Sequence, residues 1–531
     1  MKNFSSNPRK TSSNAFSAAT VVTVLSVAER ALGFLYRIVL SRLLGAEGLG
    51  LYQTALSLFA VFLTIGTGGI PITVSRLISK SRAENNPQGE RSATAAGLLL
   101  SLLLTLPVCL LLLLFAQKIP FLFSDNRAVS VFKILLLGLV FSSLYAVFRG
   151  SFWGNKEFLL PSVLEIAEES VMVLAGVLLL QNVTGSEMGA QKAAIAVVVS
   201  YTFSFTASLI CFFARGGKLS RPKPMLKPLF NAALPITTVR ASGTLINSAV
   251  AVLLPAMLIR AGMRESEAVS LLGIVSGMAM PVLFIPSTVI GSLSLVLVPR
   301  LSEDFYKGNT KSLQANLRRG LCAAAYVACF LLPFFYVLGD DLGAIAFSEP
   351  LAGEFIRLGS PILLPMSLTL ISTGMLNSMG FEKQTFLFHC AGDAAMLFCI
   401  LFLPAFCGAN AYVLGLGAAF TVNAVCNLTF LGKKCPNLYK RRGQGRVHRP
   451  FHEIFHGVFK AVFAVLPLSL LGQFLSVICL RFFGELLATL VTAILMTLFT
   501  ACTYLLLKIL PVHEIVKYFK TSRKAKKAVL K

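Results

Sequence analysis

The residues able to do chemistry in this sequence are the few ionisable ones set inside long apolar runs. Glu29, Arg30 and Arg37 share one such run. Seven helical steps of about 100° return Arg37 to within roughly 20° of Arg30, so both guanidiniums project from one face. Gly33 lies between them on that side and leaves room. Two forked guanidiniums on one face suit bidentate capture of phosphate oxygens. A second run holds Arg240 within Pro235-Ile-Thr-Thr-Val-Arg240-Ala-Ser-Gly243, with Pro235 as a kink and Asn247 seven residues on, on the same face. A third run holds Glu165, Glu168 and Glu169, which form one stripe at steps of three and four. Three neighbouring carboxylates in one apolar helix need cations or bound protons beside them. With Glu29, they either neutralise the arginines or carry H⁺ or Na⁺. Asp393, beside Gly392, is a lone acid in a further run, read equally as structural or functional. An ionisable group at mid-bilayer costs about 2.5–3.5 kcal/mol, so those that remain usually face a cavity or each other.

His452-Glu453-Ile454-Phe455-His456 matches the H-E-x-x-H pattern of zinc proteases, two histidines on one helical face. It falls where a basic loop enters an apolar run. A catalytic zinc needs a third ligand, and Glu485 and Glu514 downstream sit in no ligand motif. An amphipathic loop helix is the expected reading, and no metal site is expected. The sequence lacks the G-x-x-x-x-G-K-[ST] loop of nucleotide-driven machines.

Positioning these residues falls to membrane-spanning helices. Of the 531 residues, 56% are hydrophobic and only 13% charged. A soluble protein carries about 25% charged residues, so the composition excludes a cytosolic enzyme, a disordered chain and a disulfide scaffold. Continuous apolar runs such as 98–104 exclude an alternating β-barrel. The expected fold is all-α and polytopic, with about fourteen transmembrane helices. They fall near 16–41, 50–78, 92–115, 129–153, 159–181, 191–214, 227–259, 269–299, 316–338, 353–379, 385–405, 410–431, 453–481 and 484–510. The eleven cysteines lie mostly inside these runs and never as C-x-x-C, as small hydrophobes at helix interfaces. Gly66-Thr67-Gly68-Gly69 likewise permits close packing or hinging.

The net charge of +25 comes from 48 Lys and Arg against 23 Asp and Glu. No nucleic-acid motif accompanies it, and no nucleic-acid partner is expected. With the N-terminus inside, about 35 of the 48 fall in cytoplasmic loops and tails, the bias that sets orientation. Both ends are therefore expected in the cytoplasm, and the tail Lys517–Lys531 reads as a solvated basic strip. The layout of Pro71 … Ser75-Arg76-Leu77 returns about 224 residues later as Pro286 … Pro299-Arg300-Leu301, each followed by a basic amphipathic stretch and a long apolar helix. Two six-helix lobes in parallel pseudo-repeat, plus two extra helices, fit this spacing, with a binding site expected at the interface between lobes. The expected division is a cytoplasmic segment 1–15, an N-lobe 16–214, a basic linker 215–226, a C-lobe 227–431, a basic loop 432–452, a last helix pair 453–510 and a basic tail 511–531.

The segment Glu29-Arg30-Ala-Leu-Gly33-Phe … Arg37 … Ser41-Arg42-Leu-Leu-Gly45-Ala-Glu47-Gly48-Leu-Gly50-Leu-Tyr52-Gln53, with Gly66-Thr-Gly-Gly-Ile-Pro71 … Ser75-Arg76, resembles the MOP flippase superfamily. The likeness is to its polysaccharide and lipid II flippase branch, which includes the stage V sporulation B and MurJ-type flippases. The resemblance spans nearly the whole chain and is densest over 26–82. It implies a multi-pass protein of the bacterial cytoplasmic membrane that is a transporter and not an enzyme. Its substrate would be an undecaprenyl-pyrophosphate-linked peptidoglycan precursor or polysaccharide unit, moved by alternating access. Arg30 and Arg37 would meet the pyrophosphate, and the last two helices would offer a groove for the polyprenyl tail. No cofactor is implied beyond a coupling Na⁺ or H⁺ or the membrane potential. The implied partners are the lipid-linked oligosaccharide, membrane lipids and cell-wall or spore-cortex synthesis proteins. A cation-coupled exporter of cationic drugs is the alternative that the helix 159–181 glutamates keep open.

Overall fold

A computed structural model describes residues 8–115, 123–435 and 451–507. Every regular element among them is helical, as lipid-exposed backbone requires, since only intrahelical partners satisfy N–H and C=O groups there. In chain order they are α1 (Pro8–Thr67), α2 (Ile70–Ala83), α3 (Pro87–Leu114), α4 (Arg127–Gly154), α5 (Leu159–Leu180), α6 (Ser186–Ala214), α7 (Lys223–Arg260), α8 (Glu265–Leu272) and α9 (Met280–Leu283). They continue as α10 (Ile285–Tyr306), α11 (Thr310–Leu342), α12 (Pro350–Gly359), α13 (Leu363–Ser378), α14 (Glu382–Phe402), α15 (Pro404–Cys407), α16 (Asn410–Lys434), α17 (Phe451–Phe482) and α18 (Glu485–Leu506).

Among the described residues, 13 helical segments are long and apolar enough to cross a membrane. They reconcile with fourteen spans through three local features. Residues 24–83 form one segment in that set, yet α1 is broken at Gly45, whose φ of 67° favours a residue without Cβ. The segments 265–283 and 285–306 are the two limbs of one span interrupted at Phe284. The 22-residue α5 lies outside the set because of its three glutamates. The protein is thus a multi-pass helical membrane protein.

The repeat anticipated from Pro71 and Pro286 has a structural counterpart. Helix breaks at Gly68-Gly69 and at Phe284 each precede a proline within the first turn of the next helix. The helices that follow, α3 and α11, both begin behind an asparagine cap. Asn86 Oδ1 accepts from the Gly89 N–H at 2.9 Å, and Asn309 Oδ1 from the Ser312 N–H at 3.4 Å. Asn86→Ala leaves one N-terminal N–H of α3 without its partner and is expected to lower stability by about 1 kcal/mol, read as a lower thermal midpoint in detergent.

The chain divides into two compact units, Met1–Met278 with Pro404–Ala409, and Ala279–Leu403 with Asn410–Lys531. The division does not fall at the basic linker 215–226. Helices α7 and α8, assigned to the second lobe by the repeat, pack within the first unit. The Thr64 and Thr244 hydroxyls meet at 3.1 Å, the Gly69 N–H donates to Thr237 Oγ1 at 3.0 Å, and the Ser124 hydroxyl donates to the Val252 carbonyl at 2.8 Å. The physical reason is backbone proximity, for a Cβ on Gly69 would sit 2.3 Å from the Ala233 carbonyl oxygen. The second limb of α1 and the helical stretch Gly273–Ala279 that continues α8 approach just as closely through Gly50 and Gly273. Small residues drive such crossings where lipid removes the hydrophobic incentive for helix association.

In the second unit, α11 packs with α10 and α13 around Ile290, Leu301, Leu317, Ile371 and Leu376. The last pair, α17 and α18, docks on the same helix. The Tyr504 hydroxyl donates to the Tyr326 carbonyl at 3.2 Å, and the Thr489 hydroxyl reaches Asp341 Oδ2 at 3.2 Å. Phe459, Phe463, Leu466, Leu470 and Phe474 form an exposed stripe along α17. Such an unpolar face belongs to a helix that meets lipid. The cysteines behave as expected of small hydrophobes, free and in several cases buried; Cys109 Sγ touches the Leu136 carbonyl.

Candidate functional site

The sequence-predicted residues of α1 and α5 gather with α4 and α6 as a layer of both charge signs, and no described contact brings Arg240 or Asn247 of α7 to them. Arg30 and Arg37 stand exposed on the first limb of α1, as does Arg240 on α7, with Asn247 exposed two turns further along. None of the three arginines makes an ion pair with a described residue. Arg30 and Arg37 belong to one helix; Arg240 sits one turn before Thr244, whose hydroxyl contacts the second limb of α1 at Thr64.

The carboxylates are distributed, and they differ from one another. Glu165 forms an ion pair with Arg149 of α4, Nη1 to Oε1 at 3.0 Å. Glu168 is enclosed between α5 and α6 near Ser204, and its Oε2 is buried without a hydrogen-bond partner. Glu169 fills the space beside Gly33, where a Cβ would lie 2.9 Å from Glu169 Oε1. The room anticipated between Arg30 and Arg37 is therefore occupied by a carboxylate from α5. Glu169 lies within electrostatic reach of Arg37 and of Glu29, and Glu29 in turn within reach of Glu165 and Arg149. Alongside, Tyr36 is buried with its hydroxyl against Gly176, where even a Cβ would come to 2.1 Å. The α1–α5 seam is thereby closed.

Arg149 is the residue that sequence reasoning missed. It escaped notice because it lies near the end of an apolar run, where a basic residue is ordinary. The signal was the four-residue turn 155–158 that joins α4 to α5. Arg149 stands five residues before the end of α4 and Glu165 six after the start of α5, hence both about 8 Å from the turn at 1.5 Å per residue. The guanidinium carbon lies 5.1 Å from the Trp153 ring centre and 5.8 Å from that of Tyr145. Two aromatic faces and one carboxylate hold it.

Asp393 is not a lone acid. It belongs to α14 of the second unit, one turn from His389 and interacting with it; Asn423 Nδ2 of α16 lies 2.7 Å from His389 Nδ1. The side chains of His452, Glu453 and His456 and the tail 517–531 lie outside the described residues. Among those described, no cluster of three metal-ligating side chains occurs.

Helix breaks in two related positions and charged residues within apolar spans belong to a helical membrane fold shared with solved structures of the MOP superfamily. A solved lipid II flippase MurJ in an inward closed conformation superposes with a TM-score of 0.67 at 15% identity, covering 91% of this chain and 98% of that one. An inward-facing multidrug resistance MATE family transporter gives 0.64 at 14% identity, over 79% of this chain and all of that one. A family profile described as polysaccharide biosynthesis protein matches residues 17–305, and the chain belongs to that family. Stage V sporulation protein B of Bacillus subtilis (strain 168) is 24% identical over 357 residues, 65% of this chain and 69% of that protein. The lipid II flippase MurJ of the same organism is 24% identical over 403 residues, 69% and 72% respectively. The MurJ relatives are named as flippases and the MATE structure as a transporter, not as enzymes, and the zinc-protease reading of the His452 motif is discarded with them.

Proposed function

We propose that the protein is a flippase for an undecaprenyl-pyrophosphate-linked peptidoglycan precursor or polysaccharide unit. The observation that carries this reading is that Arg30, Arg37 and Arg240 make no ion pair with a described residue, although the acids Glu29, Glu165, Glu168 and Glu169 lie on the first limb of α1 and on α5 beside it. Were the arginines structural, those acids would be their natural partners; the ion pair instead uses Arg149. A pyrophosphate offers several oxygens to planar guanidinium forks, and Arg binds it bidentately. The name of the lipid II flippase MurJ relative supports the same substrate class. The headgroup would be received by these residues from one side of the membrane and released to the other, the polyprenyl chain staying in lipid. Both termini would lie in the cytoplasm, a reading supported by the excess of Lys and Arg in alternate loops, and the protein would work in the cytoplasmic membrane. Cell-wall or spore-cortex synthesis proteins would supply and consume the substrate. The drive would be the membrane potential, worth about 2.3 kcal/mol per charge per 100 mV, or a Na⁺ or H⁺ gradient engaging Glu168, Glu169 or Asp393.

Purified protein in vesicles should move a fluorescent lipid II or lipid-linked sugar between leaflets, and Arg240→Ala should reduce the rate at least about tenfold, the scale of one lost charged contact. Equal rates in vesicles with and without protein would overturn the reading. The cluster of Glu29, Glu165, Glu168 and Glu169 favours a second reading, a cation-coupled exporter; protein-dependent ethidium efflux without lipid movement would establish it instead.

A further inference from the structure

The first unit brings Glu29, Glu165, Glu168 and Glu169 together with Arg30, Arg37 and Arg149 on neighbouring faces of α1, α4 and α5, and among these described residues the one ion pair is that of Arg149 with Glu165. We propose that Arg149 is a positioning residue for the anion site: it engages Glu165 and draws Glu29, and so leaves Arg30 open to a negatively charged headgroup. This inference rests on the reading of the site as a pyrophosphate receptor.

Three features support it. Arg149 is fixed in place, with Glu165 at 3.0 Å and the Trp153 and Tyr145 rings beneath its guanidinium. Its backbone is anchored too, since neighbouring Gly150 packs so tightly on α2 that a Cβ would lie 2.4 Å from the Pro71 carbonyl oxygen. Secondly, its field reaches three of the four acids, Glu169 being the exception. Glu29 and Glu168 both interact with it, in addition to Glu165. Thirdly, the next cations available to those acids are the two arginines of the site. Arg30 adjoins Glu29 in sequence and interacts with it, and Arg37 already interacts with Glu169. An uncompensated carboxylate in low dielectric draws the nearest cation. Remove Arg149, and Glu165 and Glu29 turn to Arg30, which then no longer presents its fork to a ligand.

This account assigns opposite signs to the two ways of breaking one ion pair, whereas a purely structural bridge would lose the same from either side. The full-length protein in detergent is titrated with undecaprenyl pyrophosphate, and in parallel with ethidium, following the fluorescence of Trp153, the chain's single tryptophan. R149Q should weaken undecaprenyl pyrophosphate binding about tenfold and strengthen ethidium binding. E165Q should tighten pyrophosphate binding by about threefold, and R149Q/E165Q should return to within about threefold of the native protein. R149K, which keeps the charge, should lose less than R149Q. Should R149Q aggregate, E165Q and the double variant decide the matter. A native protein that binds no undecaprenyl pyrophosphate, or binds it equally after R30A/R37A, overturns the reading of the site and the inference with it. A native protein that binds while R149Q binds equally well, or while E165Q loses as much as R149Q, overturns the inference alone.

Discussion

Gly273→Leu is expected to abolish the folded protein. A Cβ at that position would lie 2.2 Å from the Ala46 carbonyl oxygen and 2.6 Å from the Gly50 amide nitrogen. Both obstacles are backbone, so no side chain can swing aside. The partner position is as tight, a Cβ on Gly50 falling 2.0 Å from the Val269 carbonyl oxygen. Admitting leucine would force the helices apart along the crossing that ties the second limb of α1 to the helices after α7. A change that separates two packed backbones exceeds the usual range of single substitutions, about 0.5–3 kcal/mol, and enters the exceptional range above about 4 kcal/mol. The check is the yield of monodisperse protein in detergent, expected to fall to background. Gly291→Ala supplies the control. A Cβ there meets nothing within 4 Å, and alanine is the better helix former by about 1 kcal/mol; its thermal midpoint should hold or rise. Equal yields for Gly273→Leu and the native chain would show that the crossing is looser than these distances indicate.

The second large effect concerns transport. The double variant Arg30→Ala/Arg37→Ala should reduce lipid-linked pyrophosphate movement by about a hundredfold or more while leaving yield and thermal midpoint near native. Neither guanidinium is ion-paired to a described residue, so its removal strands no carboxylate of an existing pair. Each charge-assisted contact to a headgroup contributes about 1.5–3 kcal/mol, and two lost together correspond to at least roughly a hundredfold. Arg37→Ala alone should be the milder lesion on substrate, because Arg37 already interacts with Glu169 beside Gly33. Initial rates of a fluorescent lipid-linked sugar in vesicles, normalised to inserted protein, check this. Native rates in the double variant would remove these arginines from the substrate path.

The contrast between these substitutions follows from how each feature can be read in a linear chain. Apolar length, the cost of unsatisfied backbone in lipid and the spacing of Arg30, Arg37, Glu165, Glu168 and Glu169 are local properties. Helix type, approximate spans, shared faces and the twin proline breaks were therefore legible without coordinates. The same holds for the glycines 66–69, whose small size announced close packing though not its partner. Local periodicity says which way a side chain leaves its own helix and nothing about which helix stands there. Gly33 was rightly read as a gap, but only packing determined that the Glu169 carboxylate fills it. Asp393 looked solitary because His389 and Asn423 come from one turn back and from another helix.

What the sequence by itself determined is a multi-pass helical membrane protein with a duplicated pattern and a small set of costly charges. Tertiary structure alone decided that α7 and α8 join the first unit, because the absence of side chains at Gly50, Gly69 and Gly273 lets backbones touch there. It alone decided which arginine is spent on an acid. Arg149 and Glu165 lie at equal depth on either side of a short turn, so the pair forms at little conformational cost. Arg30 and Arg37, on a different helix, are left with their donors unclaimed.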